Sequence, residues 1–268
     1  MRILAIDSSS MTGSVAILED DRLIAECALS LQRTHSERLM PAIDWLLIQS
    51  GLSVDQIDLF AASTGPGSFT GLRIGLGTVK GLAFALQKPA IGVSTLMGLA
   101  AGVPAWNGTL ITLMDARHQH VFAAGFHLAG GAEGDGCASD GGDSGACSGR
   151  MPEYTAEEAY CSVSELPDQI GHLEQPFLFV GDGAIVYQEQ IRTSFPESYF
   201  GNRAAAAVRA GDIGRVAWRR WNNGLKADPA LHETDPALLT PNYLRLSEAE
   251  IKLEKKEEAS GDEASGAD

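Results

Sequence analysis

Asp7-Ser-Ser-Ser-Met-Thr12-Gly13 gathers one carboxylate, four hydroxyls and a glycine into seven residues. In a turn, such residues can bring backbone amides and small hydroxyls up to a phosphate while the carboxylate stays near a metal. Asp7, Ser8 and Thr12 are therefore candidate nucleotide contacts, and Gly181-Asp-Gly183, after the apolar run Phe177–Val180, is a matching candidate through Gly181 and Gly183. Both segments serve equally as plain structural turns, the first closing a hairpin and the second joining a strand to a helix, and neither use needs a ligand. GPGSFTGLRIG at residues 65–75 resembles a phosphate loop in its glycines and hydroxyls at a helix start, but no lysine follows the last glycine as a Walker loop requires. It is open between an anion site and a close-packed turn. His118 and His120 could seat a metal, yet no third ligand is identifiable, and no serine sits in GxSxG. Asp115-Ala-Arg117 ends a strand-like run, where it could pair at a cleft or cap a turn. No catalytic residue and no metal ligand is assigned.

The elements that must carry these residues follow from periodicity. Residues 3–7, 14–18 and 23–29 predict a β-meander. Thr34-His-Ser-Glu37 has the capping-box pattern and opens a helix with Leu39, Met40, Ile43, Leu46 and Leu47 on its core side, stopped at Gly51. A strand at 58–63, a helix from the glycine loop to about Leu86 and a strand at 90–93 complete the order β-β-β-α-β-α-β. After Pro104 the theme restarts with strands at 110–115 and 121–127, a helix near 164–170, a strand at 177–180 and a last helix at 204–221. Two such halves predict a duplicated α/β fold of the actin-like, Hsp70 type, with an RNase H-like sheet in each half.

The boundaries are placed at 1–104 for the first α/β subdomain and 105–246 for the second. Within the second, residues 129–150 hold eight of the 30 glycines and no Leu, Ile, Val or Phe, the composition of a disordered insertion. Residues 247–268 carry eight acids against three lysines and read as a disordered acidic tail. The pattern leaves open whether the last helix, 204–222, stays with its own half or packs back on the first. A net charge of −15 over 268 residues argues against autonomous binding to a phosphate backbone. Four cysteines without CxxC spacing, no basic leader and no uninterrupted apolar run of membrane length point to a cytoplasmic chain with no membrane contact.

MRILAIDSSS at the start, residues 35–47 with Pro41, GPGSFTGLRIG followed by Lys80-Gly-Leu-Ala83, Asp115-Ala-Arg117, Gly181-Asp-Gly183 and the closing Pro241-Asn-Tyr-Leu-Arg245 together resemble the TsaB (YeaZ) family over residues 1–246. The resemblance implies a duplicated ASKHA fold, related to that of TsaD. It also implies a non-catalytic role: a heterodimer with TsaD in tRNA threonylcarbamoyladenosine formation beside the anticodon. ATP or ADP would then sit at the interface of the complex rather than on this chain alone, and tRNA would be reached only through the complex. A TsaE-like ATPase would be a further component, and the chain alone would form a homodimer. The HxxxH pair that holds the catalytic relative's metal is missing from this sequence. The alternative is an ATP-using phosphoryl or carbamoyl transferase of the same superfamily, with Asp7 near a metal and Gly181 to Gly183 on phosphate.

The helical periodicity supports a partner role independently. With Leu72, Leu76, Val79 and Ala83 turned to the core, the opposite face of the second helix carries Ile74, Gly77, Gly81, Phe84 and Ala85, where polar residues are expected. The first helix likewise leaves Pro41, Trp45 and Ile48 opposite its core stripe. Two adjacent second apolar faces predict a protein interface.

Overall fold

The computed structural model describes residues 1–30, 35–128, 151–225 and 234–245. The segment expected as an insertion, the acidic tail, Thr34 of the capping box, Cys137, Cys147 and His232 lie outside the described residues. The first sheet is built from β1 (Arg2–Asp7), β2 (Gly13–Glu19), β3 (Arg22–Leu29), β4 (Leu59–Gly65) and β5 (Ala90–Ser94), in the order β3-β2-β1-β4-β5. The second uses β6 (Thr109–Arg117), β7 (His120–His127), β8 (Glu153–Ser162), β9 (Phe177–Val180) and β10 (Tyr199–Phe200), in the order β10-β9-β6-β7-β8. Read from the meander edge, the two orders are the same. In each half the first three strands are antiparallel, and the fourth and fifth join in parallel beside the first. The chain is a duplicated α/β protein of the ASKHA type.

Helices α1 (His35–Gln49) and α2 (Phe69–Leu86) cover one face of the first sheet, with Leu4, Ile6, Ile17, Phe60, Ile43, Leu46, Leu76 and Val79 in one apolar layer. Between the sheets lie α3 (Thr95–Ala101) and, after the short α4 (Leu166–Ile170), α5 (Asp182–Val186) and α6 (Gln188–Ser194), the last helix α7 (Ala210–Arg220). The exchange is reciprocal: α3, from the first half of the chain, packs on β6 and β7, and α7, from the second half, packs on β1, β2, β4 and β5. That settles where the last helix goes. It starts later than expected, because Arg203–Ala206 forms a 3-10 turn instead. Asn202 accepts hydrogen bonds from the Ala204 and Ala205 amides, and Gly181 donates to the Ala205 carbonyl, so tertiary contacts override the helix propensity of the alanine run.

Among the described residues, α2 alone has the length and apolarity of a membrane span. It is anchored in the fold along one face: Leu72, Leu76, Val79 and Ala83 are buried against the sheet, and Arg73 and Lys80 are hydrogen-bonded to residues 237–243.

Candidate functional site

The glycine loop is a packed seam. Ser68 caps α2 by accepting from the Gly71 amide, its own amide donates to the Ser9 carbonyl, and the Ser8 hydroxyl donates to the Gly71 carbonyl at 2.8 Å. A β-carbon on Gly67 would fall on the carbonyl of Ser9, one on Gly71 on the carbonyl of Ser8, and one on Gly75 on the Ser8 hydroxyl. The glycines let α2 lie directly against the first hairpin, so the close-packed reading of this motif holds.

This packing seals the nucleotide candidates of the first half. Asp7, Ser8 and Ser9 are buried; Asp7 Oδ1 accepts from the Ser9 amide, while Oδ2 and the hydroxyls of Ser9 and Ser63 have no partner in hydrogen-bonding geometry. Burial pushes the Asp7 carboxyl above the usual carboxylate range, opposed by the neighbouring Ser63 and Ser9 hydroxyls and the Ser9 and Ser8 amides. Thr12 closes the hairpin with Ser10, its amide donating to the Ser10 hydroxyl. Of the two readings of this segment the geometry fits the structural turn: the Asp7 and Ser8 side chains are buried, and the Ser8 hydroxyl is used by the Gly71 carbonyl.

The second half repeats the device. Gly181, at φ +103°, and Gly183 lie against the backbone of Leu113 to Asp115, again leaving no room for a β-carbon. Asp182 Oδ1 accepts from the Asp115 and Gly183 amides, and Asp115 in turn accepts from Tyr187 and from the Arg117 amide. Burial raises the Asp182 pKa. Asp115-Ala-Arg117 is thus the end of β6, where Asp115 is fastened by Tyr187 and the Arg117 amide. His120 stacks on Tyr160 and bonds the His118 carbonyl, and among the described residues no cluster of three metal-ligating side chains occurs.

The helix faces form an open surface. On α1, Pro41 is exposed, Trp45 is 52% and Ile48 73% accessible; on α2, Phe84 is 78% accessible beside exposed Gly77, Gly81 and Ala85. The two helices lie side by side. A β-carbon at Gly77 or Gly81 would meet nothing within 4 Å, so these glycines are not explained by packing inside the chain. Two residues depart from expectation. Ile74 is half-buried against the core, and Met40, expected inside, is 43% exposed and extends the α1 face, while Ala42 lies in the core.

Comparison with known proteins supplies the family. The family model for TsaD, described as tRNA N6-adenosine threonylcarbamoyltransferase, matches residues 24–253. The tRNA threonylcarbamoyladenosine biosynthesis protein TsaB of Bacillus subtilis (strain 168) is 28% identical over 253 residues, 94% of this chain and 97% of that protein. The chain belongs to the TsaB (YeaZ) group of the TsaD family. The TsaB of Escherichia coli (strain K12) is 43% identical over 126 residues, 46% of this chain and 54% of its own length. The solved structure of YeaZ from Pseudomonas aeruginosa superposes on this TsaB-group chain with a TM-score of 0.66 at 25% identity, covering 91% of this chain and 99% of that one.

Proposed function

We propose that this chain is the non-catalytic docking subunit of the machinery that places threonylcarbamoyl on the tRNA adenosine beside the anticodon. It pairs with a TsaD-type catalytic subunit through α1 and α2 in the cytoplasm. The observation that carries this reading is the apolar face shared by the two helices, with Gly77 and Gly81 leaving room for a partner backbone to approach closely. The names of its relatives supply the pathway. The sealed Asp7 and Ser8 argue against the alternative, a phosphoryl or carbamoyl transferase acting alone. In this reading tRNA and the adenine nucleotide are held at or by the complex, a TsaE-like ATPase joins the pair, and the same face forms a homodimer when the catalytic subunit is absent.

Gly81→Leu tests the reading. In the monomer, at concentrations too low for the homodimer to form, the helix gains ~1 kcal/mol of propensity, so the melting temperature holds or rises. In the complex the added side chain forces the backbones apart at ~1–3 kcal/mol, a loss of roughly tenfold to a hundredfold in affinity for the TsaD-type subunit. Unaltered binding would put the interface elsewhere.

A further inference from the structure

Lys80, of the Lys80-Gly-Leu-Ala83 motif, and the Pro241-Asn-Tyr-Leu-Arg245 motif have no part in the docking face as described, and the structure joins them. Residues 234–245 run as a strap across the first half. At one end Lys80 Nζ, on α2, donates to the carbonyls of Ala237 and Leu239 at 2.9 and 3.0 Å, holding a 3-10 turn capped by Asp235. Leu239 is buried in the α1–α2 core layer. In the middle, the Asn242 amide donates to the Thr64 carbonyl at 2.7 Å, and Tyr243 stacks on Phe69 with ring centroids 3.9 Å apart while accepting from Arg73 Nε.

At the other end the strap crosses to the second lobe. Asn242 Nδ2 donates to Glu158 Oε2 on β8 at 3.1 Å, and the other Glu158 oxygen accepts from Tyr154 and from Ser94, the residue that caps α3. Arg245 donates to the Ala116 carbonyl, beside the β6–β7 turn, with its guanidinium 5.8 Å from the Tyr160 ring. Three residues of α2 (Phe69, Arg73 and Lys80) and three of the second lobe (Ala116, Glu158 and Tyr160) are therefore held by one short segment. We propose that this strap is a tether that couples the docking helix α2 to the second lobe, with Lys80 and Glu158 as its opposite anchors. A polar segment tied at both ends to rigid elements moves as a unit, so loosening one anchor is felt at the other.

Amide hydrogen exchange on the full chain tests this. Glu158→Ala removes the anchor of Asn242 on β8, together with the Tyr154 and Ser94 bonds to the same carboxylate, and leaves the Arg245 contact in place. The tether requires exchange of the 3-10 turn on the α2 side, residues 236–239, to quicken at least tenfold, with β1 and β4 unchanged. Lys80→Met should do the same, and the double variant should fall short of the product of the two single effects. Exchange at 236–239 that stays at the wild-type rate in Glu158→Ala, or effects that simply multiply, would overturn the proposal. If Glu158→Ala also loosens β1 and β4, Asn242→Ala decides on the same readout. A second arm rests on the docking reading: Glu158→Ala, which leaves α1 and α2 untouched, should weaken the TsaD-type subunit's binding about tenfold, and unchanged affinity would reject the coupling. A wild-type chain that binds no such subunit would sink the docking reading, leaving the exchange arm to judge the tether alone.

Discussion

A methyl group on Gly71 would land on the Ser8 carbonyl oxygen, whereas one on Gly77, six residues along the same helix, would stand in open space. Glycine in a helix interior costs ~0.5–1 kcal/mol relative to alanine, so the two positions have different reasons to bear it. Gly71→Ala should destabilise the isolated chain by ~1–3 kcal/mol, and Gly77→Ala should stabilise it by up to ~1 kcal/mol; thermal melts of both variants check the contrast. The sequence showed glycines and hydroxyls in a phosphate-loop pattern but not which atoms they approach, since Ser8 and Gly71 meet only after β1 and β4 pair. Asp7 gives a pH test of the same seam. Its folded pKa is raised, so the folded state holds this proton more tightly than the unfolded chain, and stability falls as pH rises through that range. Asp7→Asn removes the penalty of a buried charge. Its melting temperature should exceed that of the wild type at pH 8 by a few degrees, and the gap should close as pH falls toward 4. A constant gap across that range would mean that Asp7 is not the group responsible.

Helices whose two faces differ were legible from spacing, and those enclosed on both sides were not. The core stripes and second faces of α1 and α2 follow a 3.6-residue period, and both helices form close to the expected bounds. In α3, residues 95–100 are all buried between the sheets, so no polar face marks it. β8 was missed because Glu153–Ser162 lies half-exposed at the sheet edge, and its alanines and glutamates carry helix propensity against a strand pairing set by β7. α7 was found, but its placement depends on contacts with partners far along the chain. The Ala210 amide, buried at its start, donates to the Ser14 hydroxyl on β2, and Glu26 on β3 accepts from Arg209 and from the Gly211 amide. Ser14→Ala would leave the Ala210 amide buried without a partner, at a cost of ~1–3 kcal/mol. Denaturant unfolding should show the midpoint lowered with an unchanged slope, because the loss is local and the surface exposed on unfolding is the same.

Across the whole molecule, the repeated sheet order means that each half presents the same seam, a glycine turn after its fourth strand laid on the end of its first. The halves then diverge in what they add: the first half's outer helices carry an apolar surface, while the second half's meander is interrupted between β7 and β8. The strap was not legible in the sequence, because its polar residues find partners more than 80 positions away. The location of the interruption yields a test. His127 and Glu153 are paired across β7 and β8, so the ends of the intervening segment are already held together by the sheet. Deleting residues 130–149 leaves five residues between the two strands, a length common in hairpin loops. Closing a shorter loop costs slightly less entropy, and the excised stretch has no Leu, Ile, Val or Phe with which to contribute to a core. The shortened chain should therefore melt within a degree or two of the wild type and bind the TsaD-type subunit with unchanged affinity, as read by calorimetry. A fall of several degrees would show that the segment packs on the fold; intact melting with weakened binding would show that the partner reaches across to the second lobe.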